Sequence, residues 1–174
     1  SLRQELVAGT LIPIIAGIGT KTQLTKRLQL SSQWSRVYRI PTLNDLYWFP
    51  GGNLDIKAEY GYAGEVTLGY KLGNSRYFFE IYGTAYSRII NRWIQWQPLS
   101  TQVWIPINIG KVRSQGIELR IKTNIVTGNN SRLGLQANAD LCSSKNIDPN
   151  DINYDKQLMY VPLSKYAATL SFAI

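Results

Sequence analysis

Gly116-Ile117-Glu118-Leu119-Arg120-Ile121-Lys122-Thr123-Asn124-Ile125 is the stretch on which the fold turns. Its odd positions Ile117, Leu119, Ile121 and Ile125 are apolar, with Thr123 the exception, while Glu118, Arg120, Lys122 and Asn124 are polar or charged. Successive side chains of an extended chain point to opposite sides, so this is a strand with one oily and one wet face. After the turn signal Thr127-Gly128-Asn129-Asn130 the pattern resumes, with Leu133, Leu135, Ala137, Ala139 and Leu141 against Arg132, Gln136, Asn138 and Asp140. Upstream, Phe79, Ile81, Gly83 and Ala85 oppose Glu80, Tyr82, Thr84 and Arg88 in a strand expected to end near Trp96. Before it, Val66, Leu68, Tyr70 and Leu72 oppose Glu65, Thr67 and Lys71, and Leu28, Leu30 and Trp34 alternate with Arg27, Gln29 and Gln33. A weaker strand around Ile12 to Leu24 and a last one from Tyr160 to Ile174, with Tyr166, Ala168, Leu170 and Phe172 on one face, bring the count to about seven.

The connections alternate in length. Tight turns are expected near Thr25-Lys26, Gly73-Asn74-Ser75 and Thr127 to Asn130, and longer irregular segments over roughly 40 to 60, 97 to 107 and 143 to 157. Outer-membrane barrels have this asymmetry, with short periplasmic turns and long extracellular loops. A soluble β-sandwich or jelly roll also alternates, but its apolar face is a core and calls for bulk. Here that face includes Gly83, Ala85, Ala137, Ala139 and Ala168, and the other carries full charges on strand after strand. The expected fold is all-β, a partial transmembrane antiparallel barrel.

Composition removes other classes. Of the 174 residues 44% are hydrophobic, yet no uninterrupted run approaches the eighteen or so residues of a spanning helix. Trp and Tyr, five and eleven, outnumber the four Phe, a bias suited to places where oil meets water. There is no His, which excludes Ser/His/Asp and Cys/His nucleophiles and His-based zinc sites, and the one cysteine, Cys142, forms no internal disulfide or thiolate site. No catalytic residue and no cofactor is expected. The formal charge of +8 is scattered rather than blocked, as in a hydrated lumen or a lipopolysaccharide-facing rim, and nucleic acid is not the expected partner.

One segment goes beyond periodicity: Arg39-Ile40-Pro41-Thr42-Leu43-Asn44-Asp45-Leu46-Tyr47-Trp48, followed by Pro50-Gly51-Gly52-Asn53-Leu54 and by Asn53-Leu54-Asp55-Ile56-Lys57-Ala58-Glu59. It resembles the Arg-x-Pro-Thr-x-Asn-Asp/Glu-Leu-Tyr signature in the barrels of TonB-dependent receptors. In that family a downstream Glu, here Glu65, begins the next strand. Trp93-Ile94-Gln95-Trp96-Gln97-Pro98, Trp104-Ile105-Pro106-Ile107-Asn108, Val112 and Gly116-Ile117-Glu118 continue the likeness, in an order similar to cobalamin-receptor-like members from Bacteroidota. The likeness is good over roughly residues 25 to 125 and general elsewhere.

The resemblance implies a C-terminal barrel portion, residues 1–174 being one partial domain, of a receptor with a separate N-terminal plug, a TonB-binding segment and about 22 strands. Physically the motif suits a barrel mouth. Pro41 ends ladder hydrogen bonding, Asn44 and Asp45 can bond nearby amides, and Gly51-Gly52 allows positive φ. The ligand-contact set it implies is Asn44, Asp45, Tyr47, Trp48, Asn53, Trp96 and Trp104, with Arg39, Pro41, Thr42, Gly116 and Glu118 as structural motif residues. For the aromatics, Trp93 included, an anchoring girdle is the plainer alternative to ligand stacking, and Arg39 is better read as a structural ion-pair member than as a ligand contact. Asp45 and Asp55 are possible calcium ligands, but without a dense Asp/Asn run no metal is expected.

Cys142 is placed at a loop entry as a small apolar residue. Ser1-Leu2-Arg3 carries neither initiator Met nor signal peptide, and about seven strands cannot close even a barrel of roughly eight, so a fragment or one piece of a split barrel is expected. The implied partners are TonB, the remaining barrel and plug, lipopolysaccharide, a small-molecule nutrient such as cobalamin or a siderophore complex, and a surface lipoprotein cap. A passive porin shares the alternation but not the Arg39 to Trp48 signature, and a carbohydrate-binding sandwich is the soluble alternative.

Overall fold

The computed structural model describes residues 1–174 except Ala8, 100–102, 128–130 and Ile174. Its elements are β1 (Leu2–Arg3), β2 (Leu6–Val7), β3 (Thr10–Leu11), β4 (Ile15–Gln23), β5 (Leu28–Arg39), α1 (Leu43–Tyr47), β6 (Glu59–Gly73), β7 (Tyr77–Pro98), β8 (Trp104–Thr127), β9 (Ser131–Asn146) and β10 (Ser164–Ala173). One eight-stranded sheet runs in the order β1-β4-β5-β6-β7-β8-β9-β10, every pair antiparallel, and β2-β3 is a separate small hairpin. The seven long strands are those that the alternation marks out.

The register carries the alternation across the whole sheet. Leu30, Leu68, Gly83, Leu119, Ala139 and Tyr166 are ladder partners in one row. The neighbouring row, pointing the other way, is Ser31, Thr67, Thr84, Glu118, Asp140 and Lys165. Both faces are open: Ile117 on the apolar face is 60% exposed and Leu170 72%. A sandwich would cover that face with a second sheet, so the single layer rules it out. From Ile117 to Ile125 the strand rises roughly 27 Å, or about 21 Å at a tilt of about 40°, close to the apolar band of a membrane barrel.

Three connections differ from expectation. The 97–107 segment is not a loop: β7 runs to Pro98 and β8 starts at Trp104, with Trp96 opposite Pro106 and Pro98 opposite Trp104. Above the ends of β6 and β9 these strands form a two-stranded ribbon. There Leu99 N donates to Val103 O at 2.8 Å, which puts hydrogen-bonded pairs at odd positions. Pro98 and Pro106 fall at the other pairs, where a missing N–H takes nothing from the ladder. The last long connection is 147–163 rather than 143–157, because β9 continues to Asn146, and β10 begins at Ser164 rather than near Tyr160. Cys142 therefore lies inside β9 opposite Gly116, not at a loop entry. Within the 40–60 segment sits α1, and β6 begins at Glu59 instead of Glu65. The turn at Asn74 is as expected, its Oδ1 accepting from Arg76 N and Tyr77 N, whereas 128–130 lie outside the described residues.

The β7–β8 pair also changes phase. Hydrogen-bonded pairs fall at even positions low in the pair (Val126 N to Arg76 O, 2.7 Å) and at odd ones at its tip. The ladder skips Arg92 and Gly110, and Arg92 has φ 57. Below that point Arg88 and Val112 are on the polar face. Above it Trp93 and Ile109 pack with Val112 and Leu158, and Arg88 lies 5.8 Å from the Trp93 ring. One left-handed residue opposite a glycine thus exchanges the faces without shifting the register. Gly110 leaves room there for the Asp148 carboxylate, which a Cβ would approach within 1.8 Å and displace. The buried residues Ile56, Ile90, Ile94, Ile109, Val112 and Leu158 all lie at this end, where the 40–58 and 147–163 connections cover the sheet.

Candidate functional site at the loop end of the sheet

The 40–58 connection is fastened rather than loose. Thr42 caps α1, its Oγ1 accepting from Asp45 N at 3.2 Å, while Asp45 Oδ2 accepts from Thr42 N at 2.8 Å, a reciprocal capping box with Asp in the third position. Asp45 is only 4% exposed, and its other oxygen accepts from Trp96 Nε1 at 3.0 Å. Burial alone would raise the Asp45 pKa. The Thr42 N–H and hydroxyl, the Trp96 indole N–H and the Arg39 guanidinium outweigh it and hold the carboxyl below the usual carboxylate range. Beside it, Arg39 Nε and Nη2 donate to the two oxygens of Glu59 at 2.9 and 3.1 Å, and Glu59 Oε1 also accepts from Ile94 N at 2.6 Å. Arg39 is thus an ion-pair member, with Glu59 as its partner.

The rest of the loop is tied to the ribbon. Asn53 Nδ2 donates to Pro106 O at 3.1 Å, Lys57 N to Asn108 Oδ1 at 2.8 Å, and Asn108 Nδ2 to Lys57 O and Arg92 O at 3.0 and 2.8 Å. Gly51 is not in a left-handed conformation. Its need is closeness, since a Cβ would lie 1.8 Å from Trp104 O. Gly52 likewise lies close under Leu46 O and donates to Trp48 O.

The seven ligand-contact candidates divide into two groups. Asp45, Asn53 and Trp96 are drawn into the scaffold and meet one another or β8. Tyr47 and Trp48 stand 67% and 54% exposed at the end of α1, joined by Leu43, Phe49 and Leu54 in an apolar group that the sequence pattern does not single out. Asn44 is exposed, and its carbonyl accepts from Trp48 N. Trp104 O lies against Gly51, and the Trp104 ring is 5.8 Å from that of Tyr160. Of the motif residues, Pro41 ends β5, and Gly116 and Glu118 lie on the polar face well below the loop. A Cβ at Gly116 would meet Tyr86 Oη at 2.6 Å, and Tyr86 Oη donates to Asp140 at 3.4 Å.

The run from Asn146 to Asp155 is denser in Asp and Asn than anything near Asp45. Its oxygens satisfy its own loop: Asn146 Oδ1, Asp148 Oδ1 and Asp151 Oδ1 accept from the amides of Asp148, Asn150 and Asn153. Among the described residues no group of three or more acidic, Cys or His side chains is placed to hold a metal.

Known proteins with similar sequences agree with this architecture. The family model described as TonB dependent receptor-like, beta-barrel matches residues 20–173. Two curated relatives are each named Vitamin B12 transporter BtuB. The one from Photobacterium profundum is 30% identical over 106 residues, 59% of this chain and 17% of the relative. The one from Vibrio vulnificus is 35% identical over 83 residues, 47% of this chain and 13% of the relative. The matched region thus spans less than a fifth of either relative.

Proposed function

Because the chain belongs to the TonB-dependent receptor-like β-barrel family, whose members are bacterial outer-membrane proteins, we propose that it supplies part of the wall and extracellular mouth of a receptor for active nutrient uptake. The imported compound is a bulky small molecule. Cobalamin is the first candidate, because both relatives are named as vitamin B12 transporters, and a siderophore-like complex is the second. The segment performs no chemistry of its own. Import is energised by TonB acting on a plug, and the further partners are the rest of the barrel, lipopolysaccharide and a surface lipoprotein over the mouth.

One observation carries this reading: the exposed rings of Tyr47, Trp48 and Phe49 stand at the end of α1 and just past it, in a loop fastened by Asp45, Trp96, Arg39 and Glu59. Rigid rings cover an apolar ligand face with little loss of side-chain entropy, and prior fastening of the loop leaves less to order on binding. Replacing Tyr47 and Trp48 by Ala in the intact receptor should weaken binding of radiolabelled cyanocobalamin to whole cells by about ten-fold or more, with folded barrel unchanged. Unchanged binding of both cyanocobalamin and a ferric siderophore would remove the capture role from this loop.

A further inference from the structure

We propose that a cleft between the β7–β8 ribbon and the 147–163 connection is a second ligand site, which takes a carboxamide-bearing arm of the imported molecule. The site rests on the uptake reading above but not on the α1 rings, because the ribbon stands between the two.

The register of the ribbon fixes that separation. Above Arg92, Trp96 and Asn108 point to one side, where they bond Asp45 and Lys57 of the 40–58 connection. Gln95, Gln97, Ile107 and Ile109 point to the other, and with Leu158 and Met159 they line a cleft of about 350 Å3. Ile109 packs on Val112, so the cleft continues the polar face of the wall. Among the described residues, Gln95 Oε1 is the one buried side-chain oxygen or nitrogen without a hydrogen-bond partner. An acceptor shut off from water and left unpaired costs stability, and the cleft beside it is where a donor can enter. The Gln95 side chain lines the cleft, and its torsions let the amide swing into the open space to meet that donor.

The other polar groups around the cleft are already engaged. Asn108 bonds Lys57 and Arg92, Asn146 Oδ1 accepts from Asp148 N, and Gln157 accepts from Ser144 N and donates to Val161 O. Asp151 and Lys156 supply one charge of each sign, and both are held by Asn153, whose amide donates to Asp151 Oδ1 and whose Oδ1 accepts from Lys156 Nζ. The cleft therefore offers no net charge to an anionic siderophore complex. Its floor of Ile107, Ile109, Leu158 and Met159 suits the methylene stem of an amide arm, whereas a hydroxylated ring would bury hydroxyls there without partners. A second carboxamide answers Gln95 in kind: its N–H donates to Oε1 while its oxygen accepts from Nε2. The ring of cobalamin is fringed with such arms.

The test measures equilibrium binding of radiolabelled cyanocobalamin to the full-length receptor in detergent. Gln95→Met, which keeps the length of the side chain and removes its acceptor, should weaken binding about ten-fold. Gln136→Met, on the polar face further down the wall, should leave it unchanged. Dicyanocobinamide, which keeps the amide arms and lacks the ribose, should show the same loss. A loss confined to cyanocobalamin would mean that a hydroxyl is held and would overturn the carboxamide assignment. Without ligand, Gln95→Met should melt at a higher temperature than wild type, since it removes an unpaired buried acceptor. A lower melting temperature, or failure to fold, would make Gln95 a structural residue and overturn the site. Unchanged cyanocobalamin affinity in Gln95→Met would also overturn it and leave the uptake reading intact. Wild-type receptor that binds a ferric siderophore and no cyanocobalamin would remove the carboxamide arm and keep uptake, whereas binding of neither would remove the uptake reading and the cleft with it.

Discussion

Asp45 sits among donors that all belong to the protein: the Thr42 amide and hydroxyl, the Trp96 indole and, at 3.9 Å, the Arg39 guanidinium. Asp45→Ala should therefore cost about 1–3 kcal/mol in thermal unfolding of the refolded receptor, through a lost cap and an orphaned indole N–H. Its pKa is lowered on folding, so its stabilisation is complete above the ordinary carboxylate value of about 4 and is lost as pH falls through the lower folded value. Unfolding curves of wild type and Asp45→Asn should converge on acidification across that window, and a constant gap would contradict the linkage. Glu59→Ala should destabilise more than Arg39→Ala, since Glu59 is buried and also serves the Ile94 amide, whereas Arg39 is partly in solvent. That the chain leaves the sheet at the Arg39 to Trp48 segment was legible from its residues. That Asp45 turns inward was not, because its partner Trp96 lies 51 residues away and nothing local to either announces the bond.

At the scale of the strand, facing is the testable property. Leu119 and Asn138 belong to adjacent rows that point to opposite sides. Leu119→Arg should destabilise the assembled barrel by roughly 2–4 kcal/mol, and Asn138→Arg by less than about 1 kcal/mol, the latter from repulsion with Arg120 opposite. Equal effects in urea titrations of refolded barrels would reject the lipid and lumen assignment. The long strands could be read from period two because lipid on one side and water on the other impose it on every residue. The top of β7 and β8 could not be, for two reasons. Pro98 and Pro106 signal a loop in any strand with neighbours on both sides, and only in a ribbon are they harmless. Arg92 reverses the alternation by a backbone angle that its side chain does not advertise. Gly51 and Gly52 were legible as special and mistaken in kind, since their turn needs no positive φ and what each supplies is room where a Cβ would meet backbone.

For the molecule as a whole, topology can be read from outside the cell. Leu54, 70% exposed on the mouth loop, and Ser75, in the short turn at the other end, should lie on opposite sides of the membrane. A membrane-impermeant thiol label should reach Leu54→Cys in intact cells and not Ser75→Cys, and the opposite result would invert the orientation and move the aromatic loop to the periplasm. Residues 1–174 expressed alone should not give a heat-resistant monomer in detergent, because β10 is paired on one side only among the described residues and its free amides and carbonyls seek a neighbour. A monodisperse folded monomer would show that the sheet needs no further wall. The phase change at Arg92 and Gly110 has a consequence for how such a receptor can diverge. Below it, most residues are committed to a row shared by four to seven strands, and a single insertion would turn a whole strand inside out. Above it, the ribbon answers only to its own two strands and the loops laid against it. Paired insertions or deletions at the tip can lengthen or shorten the rim while the wall keeps its frame, so selection can refit the entrance to a new cargo without renegotiating the membrane.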